Sequence, residues 1–285
     1  MGIGLSEKAM LVRLTVSKWT ASKFDKPATE AVAVQYGTDE KAGRYSKKLV
    51  DENALKEIAK AASDARKYHY ANTLPWNDDN YRLLPSESYM DYSSQMRQFK
   101  SDFESAAIKF ASNFSGHISD AKVKLNGMFN ADDYPPINEI INFFKMDVCV
   151  VPIPEATDFR VSLQEDEINN IRKEMEMRSL EAQQIAMSTL WTRLYDAVAA
   201  MSERLSDKNN IFRDSLVGNL VDLCSILPKL NITDDPKLEE LRTEIESKLC
   251  AYSPNDLRTD MSQRKQAATD AADILSAMSG YIGGQ

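Results

Sequence analysis

Histidine is nearly missing from this chain: His69 and His117 are the only two in 285 residues. Most metal centres and most His-activated nucleophiles draw on imidazole, so both chemistries have little material here. Cysteine is almost as scarce. Cys149, Cys224 and Cys250 are odd in number, widely spaced and set among apolar neighbours, which reads as buried free thiols rather than a disulfide framework or a redox pair. Only ten glycines occur, and none falls into G-x-x-x-x-G-K-[ST], G-x-G-x-x-G or G-x-S-x-G; H-E-x-x-H is also absent. Phosphate cradles, nucleophile elbows and zincin sites therefore have no support, and the expectation is a protein without cofactor, metal or catalytic site. No apolar run approaches the roughly 18 to 20 residues that a membrane-spanning helix needs. The opening Met-Gly-Ile-Gly-Leu-Ser-Glu-Lys lacks the basic-then-apolar order of a signal peptide, so a cytoplasmic location is expected.

Charge is present but unevenly placed. Residues 1 to 67 hold 13 Lys and Arg against 9 Asp and Glu, so four of the positive charges are in excess there and the remainder carries −12 of a net −8. Such an asymmetry bears on partners and self-association rather than on fold.

Helical periodicity dominates the rest. Residues 10 to 19 alternate in polarity and are rich in β-branched side chains, which predicts a strand; Asp25 to Gly37 reads as a short helix, and Asp51 to Tyr68 as a longer one with Leu55, Ile58, Ala62, Ala65 and His69 on one stripe. Tyr89, Tyr92, Met96, Phe99, Phe103, Ala106, Phe110, Phe114, Ile118, Ala121 and Leu125 recur at steps of three or four up to Asn126-Gly127. That stripe predicts one continuous helix, roughly 60 Å long. A second long helix is expected from the capping box Ser162-Leu-Gln-Glu165 to Leu205, with Met187, Leu190, Leu194, Val198, Met201 and Leu205 facing inward. Shorter helices follow at 210 to 227, at 236 to 251 behind Asp235-Pro236, and from Ser253-Pro254 to the tail. Between the long helices, Tyr134 to Phe144 predicts a short helix, and 146 to 152 and 158 to 162 predict strands that the N-terminal strand should join.

The expected fold is thus mainly α: a long antiparallel helical bundle, a coiled-coil-like stalk, with a small α/β head of two to three strands. Its parts are an N-terminal strand and short helix at 1–50 packing with the head, bundle helices at 51–129 with an aromatic loop at 69–85, the head at 130–163, bundle helices at 164–252, and a C-terminal helix and tail at 253–285.

Candidate chemistry is modest. The pairs Asp78-Asp79, Asp132-Asp133 and Asp234-Asp235 sit beside Pro, Asn or Tyr, where aspartate caps helices and closes turns more often than it binds a cation. Loop 69–85 concentrates Tyr70, Trp76, Tyr81 and Arg82; these either pin the loop over one end of the bundle or offer hot spots to a protein partner. Lys41, Arg44, Lys47, Lys48, Arg66 and Lys67 lead into those aromatics, and cations with rings are what a single-strand nucleic-acid binder uses. Asp51, Glu52, Glu57 and Asp64 are interspersed, which favours a solvated helix face. Ile140 to Phe144 followed by Val148 to Val151 reads as the weaker candidate of a helical pore former, interrupted by Lys145, Asp147 and Pro152.

The run from Tyr36 to Leu49, Tyr68-His-Tyr, Thr73-Leu-Pro-Trp, Arg82-Leu-Leu-Pro, Ala131-Asp-Asp-Tyr-Pro, Asp158-Phe-Arg-Val, Leu190-Trp-Thr-Arg-Leu-Tyr and Phe212-Arg-Asp-Ser-Leu together resemble an uncharacterised family of bacteriophage and mobile-element proteins. Members of that family can neighbour a MoxR-type AAA+ ATPase and a von Willebrand A-type protein. The likeness runs from about residue 10 to 250 and leaves out the segment beyond Tyr252. It implies a phage setting, the cytoplasm of a bacterial host and an AAA+ partner, and no activity. The function expected is a non-enzymatic, self-associating homo-oligomeric scaffold or adaptor, with single-stranded nucleic-acid binding and pore formation as alternatives and no membrane partner.

Overall fold

The computed structural model describes residues 5–39, 41–76, 80–155, 165–207 and 209–282. It is mainly helical, with a small antiparallel sheet of four strands. In chain order the elements are α1 (Leu5–Lys8), β1 (Ala9–Ser17), β2 (Ser22–Phe24), α2 (Lys26–Tyr36), β3 (Ser46–Lys48), α3 (Lys56–Ala71), β4 (Leu74–Pro75), β5 (Arg82–Pro85), α4 (Tyr89–Ser112), α5 (Phe114–Leu125), β6 (Lys145–Val151), α6 (Glu165–Ser206), α7 (Ser215–Leu230), α8 (Pro236–Lys248), α9 (Asp256–Thr259) and α10 (Met261–Ile282). The sheet runs β4-β5-β1-β6, and β2 pairs separately with β3. Among the described residues no helix is long and apolar enough to cross a membrane.

The chain divides into two compact units, each assembled from separated stretches: residues 1–13, 69–92 and 149–285 in the first, 14–68 and 93–148 in the second. The first unit is built on the C-terminal part of α6. Ala186, Leu190, Leu194, Val198, Met201 and Leu205 follow the expected 3.6-residue stripe and are buried. They meet Val217, Leu220, Leu227 and Leu230 of α7 and Ala267, Ala271, Ile274 and Met278 of α10, with Leu11, Leu74 and Leu83 of the sheet in the same cluster. Each leucine so buried contributes roughly 1.5–3 kcal/mol of transfer free energy. The small residues of α10 let it approach α6 closely, so the helix expected in the C-terminal segment is a principal part of this core.

Two local devices hold the ends of these helices. Arg264 of α10, buried, donates to the carbonyls of Arg204 at 3.0 Å, Leu205 at 3.3 Å, Asp207 at 2.6 Å and Asn210 at 2.9 Å, satisfying the orphan acceptors where α6 ends. Asp235 caps α8, accepting from Lys237 N at 2.9 Å, while its other carboxylate oxygen accepts from Trp191 Nε1 at 3.2 Å. The aspartate pair 234–235 is therefore structural, as turn chemistry predicts; Asp234 adopts φ 53° and pairs with Lys8.

In the second unit the aromatic stripe finds its own core. Phe103, Phe110 and Phe114 are buried, and Trp19 lies 6.2 Å from Phe110 and 5.4 Å from Phe114 by ring centroids, with Phe144 edge-on to Phe110 at 5.6 Å. Ile58, Ala62 and Ala65 of α3 are buried as their spacing requires. At Asn113 the expected single helix breaks into α4 and α5. The break is local: Asn113 leaves helical geometry at φ −104°, ψ 11°, and its Oδ1 lies 2.8 Å from where a Cβ on residue 116 would sit, so any larger residue at Gly116 would have to push the Asn113 side chain aside. The helix stop at Asn126 is found, with φ 44°.

Other expectations change. His69 and Tyr70 belong to α3, and the expected loop that follows holds β4 and β5, which pair in the register Leu74↔Leu83 and Pro75↔Arg82. Ordinary strand propensity is weak in Thr-Leu-Pro-Trp and Arg-Leu-Leu-Pro; β5 exists because β1 pairs with it from Ala9↔Pro85 to Val12↔Arg82. The helix expected at 134–144 reduces to a 3₁₀ turn at Ile140–Phe143 after the two prolines. The strand expected at 158–162 and the capping serine Ser162 lie outside the described residues.

Leu194→Ala should cost about 2–5 kcal/mol in a urea titration, because the site is fully buried among three elements and cannot collapse freely. A loss below about 1 kcal/mol would mean that the α6 face is not packed as described.

Candidate functional site

Sequence reasoning put its interaction residues on 69–85 and its cations on 41–67, and the two groups meet different fates. Lys47, a nucleic-acid candidate, points inward from β3. Its Nζ lies 3.1 Å from Asp25 Oδ2 and 2.8 Å from Asp133 Oδ2, and donates to Met128 O at 2.7 Å. All three side chains are nearly out of contact with solvent, at 7%, 10% and 11% exposure. The hydrogen bond to Asp133 raises the Lys47 pKa against the opposing effect of burial, and Asp25 is lowered first by the backbone N–H of Ala28 and then by Lys47. This is a closed ion triad with every ammonium donor spent internally, and it corrects the assignment of Lys47 to a phosphate-binding surface. Nearby, Tyr134 Oη donates to Leu49 O at 2.8 Å, so Asp132-Asp133 and Tyr134 are structural too.

The other cations stay at the surface. Lys41, Arg44, Lys48 and Lys67 are exposed. Arg44 lies over the Phe24 ring at 4.5 Å, Lys48 pairs with Glu52, and Arg66 reaches Val16 O at 3.4 Å.

The 69–85 residues converge on a polar knot at the end of α3. His69 is 3% exposed, its Nδ1 2.7 Å from Tyr92 Oη. Burial, with a smaller contribution from the positive charge of Arg82, lowers its pKa to about 4, so the imidazole is neutral at pH 7. Thr73 Oγ1 donates to His69 O at 2.6 Å and accepts from Arg82 Nε at 2.7 Å. The Thr73 carbonyl accepts from Arg82 Nη2 at 3.0 Å and from Arg193 Nη2 of α6 at 2.9 Å. Tyr70, 54% exposed, carries the Arg82 guanidinium over its ring at 4.7 Å. Arg193 is the member that sequence reading missed; its only signal was a cation set directly beside the core positions Leu190 and Leu194.

Trp76 and Tyr81 lie on the other face of the hairpin. Tyr81 takes Arg13 over its ring at 4.8 Å and approaches Cys149 Sγ at 3.9 Å. Trp76 lines an open groove of about 460 Å³ with Pro154, Met175, Arg178, Ala182 and Ile185 of α6. Asp78 and Asp79 lie outside the described residues. Of the three thiols, Cys224 is buried and its pKa is pushed up by its hydrogen bond to Cys250 and by burial, while the same hydrogen bond lowers Cys250. Among the described residues no group of three or more His, Cys, Asp or Glu side chains is placed to hold a metal ion.

Comparison of the chain with protein-family models, with curated proteins and with solved structures finds no match. Function is therefore argued from this geometry.

Two outcomes follow from the site. Lys47→Ala leaves two buried carboxylates facing each other and should lower stability by on the order of 3 kcal/mol, whereas Lys48→Ala should stay within about 0.5 kcal/mol; equal losses in denaturant titrations would contradict the triad. His69 is neutral in the folded state and protonates near pH 6.5 when unfolded, so its contribution is complete above pH 6.5 and falls as the pH drops towards 4. Between pH 7 and pH 5 the chain should lose about 2 kcal/mol through this one group. His69→Gln should flatten that dependence, and an unchanged slope would assign the pH dependence to other groups.

Proposed function

We propose that this chain is a non-enzymatic, self-associating scaffold or adaptor of phage-type systems, acting in the cytoplasm of a bacterial host and serving an AAA+ ATPase. In this reading the long antiparallel helical bundle is the working form of the protein. The observation that carries it is the first part of α6. From Glu165 to Glu181 no side chain is buried, although Ile168, Ile171 and Met175 recur at helical spacing and Met177 and Leu180 are 62% and 60% exposed. Farther along, Ile185 is 47% exposed beside the Trp76 groove. A helix of this length gains little from propensity alone, and an apolar stripe without a core beneath it is stabilised when a second helix covers it.

The nucleic-acid reading has less support, because Lys47 is committed to the ion triad, Lys48 to Glu52 and Arg44 to Phe24. Pore formation has no membrane-crossing helix among the described residues to draw on.

Size-exclusion chromatography with light scattering tests the proposal. The expected result is a discrete homo-oligomer that Leu180→Glu converts to monomer with unchanged circular dichroism, and that ignores a short single-stranded DNA. A wild-type monomer at about 100 µM, where even weak helix pairing would register, removes self-association. A DNA-induced shift that disappears with added salt would put nucleic-acid binding first.

A further inference from the structure

Among the described residues, no carboxylate pairs with Arg82 or Arg193. Both Nη2 atoms bond the single carbonyl of Thr73, which places the two cations within about 6 Å of one another, where like charges repel appreciably. Their remaining partners are neutral: Arg82 Nε donates to Thr73 Oγ1, and Arg193 Nη1 donates to Ala71 O at 3.4 Å. Among the described residues neither forms an ion pair, although fifteen such pairs tie other cations of the chain to carboxylates. The carbonyls at the end of α3 offset part of this charge, a helix C-terminus being equivalent to roughly half a negative unit, so about one and a half positive charges remain among the described residues. Burial, reinforced by Arg193, depresses even the Arg82 guanidinium to about 10, and burial lowers Arg193 as well. The Thr73 carbonyl on which the forks converge is buried, but both arginine side chains are only partly covered and are bordered by the half-exposed ring of Tyr70 and the exposed Ala71, so their remaining edges face solvent.

We propose that Arg82 and Arg193, flanked by Tyr70, form a binding site for a phosphate dianion. The unsatisfied donors of two planar guanidinium forks match the several acceptor oxygens of a phosphate group. A phosphate monoester carries a charge of about −1.5 to −2 at neutral pH, which balances what the carbonyls leave uncompensated; a single carboxylate does not. The site lies apart from the α6 surface assigned to self-association, so it stands or falls independently of that assignment.

The experiment is a calorimetric and thermal-melting titration of the full chain with inorganic phosphate, with acetate as comparator, at constant ionic strength. Phosphate should bind saturably and raise Tm, and acetate should not. Arg193→Gln should weaken phosphate binding at least tenfold, as should Arg193→Lys, which keeps the charge and the helix but loses the fork. A nucleoside monophosphate and an oligonucleotide with and without a 5′-phosphate locate the source: tighter binding of either phosphorylated species supports the site and names what carries the group. No heat and no Tm shift with 10 mM phosphate, or equal affinity in wild type and both Arg193 variants with native circular dichroism, would overturn the proposal and leave the two arginines as caps of α3.

Discussion

The inward face of α6 is the constraint on which the first unit depends. From Ala182 to Leu205 its apolar positions return every three or four residues and are met by α7, by α10 and by the hairpin strands, so one helix surface organises stretches far apart in the chain. The helix can stop where it does because Arg264, four helices later, is buried against its last carbonyls. A buried guanidinium satisfied only by backbone acceptors is stabilising in one geometry alone, which ties the position of α10 to the end of α6.

The second unit uses a different solution to the same problem of joining distant segments. Its aromatic cluster supplies area, and the Lys47 triad supplies direction: an ammonium with two carboxylates and a carbonyl fixes β3 against the start of α2 and the turn around Asp133. Such a triad contributes little net stability relative to an apolar replacement, since desolvation of three charges offsets most of their attraction. Its consequence is registration, because losing any one member strands the others.

Set beside that triad, the Arg82–Arg193 pair has no carboxylate partner among the described residues. Both clusters set cations on backbone carbonyls, but among the described residues the buried one is closed by carboxylates and the partly covered one is not. Along α6 a similar contrast holds among the described residues: the face from Ala182 to Leu205 is buried, and no side chain from Glu165 to Glu181 is.

Much was legible in the sequence because it depends on local periodicity and capping. The stripes of α3, α4 and α6, the Asp25 and Asp235 caps, the stop at Asn126 and the strand at 145–151 all follow from side-chain spacing within a few turns. What tertiary structure alone decided was everything that pairs residues distant in sequence. Thr73 to Pro85 became a hairpin because β1 offered it a hydrogen-bonding edge, against its own modest propensity. Lys47 turned inward because Asp25 and Asp133 arrived on either side of it, although its neighbours in sequence mark it as a surface cation. Arg193, one polar residue among many on α6, joined Arg82 only when the α3 terminus was folded beneath both. Helical period is written in a single segment and can be read there, whereas the charge balance of a site is the sum over several segments and exists only once they are brought together.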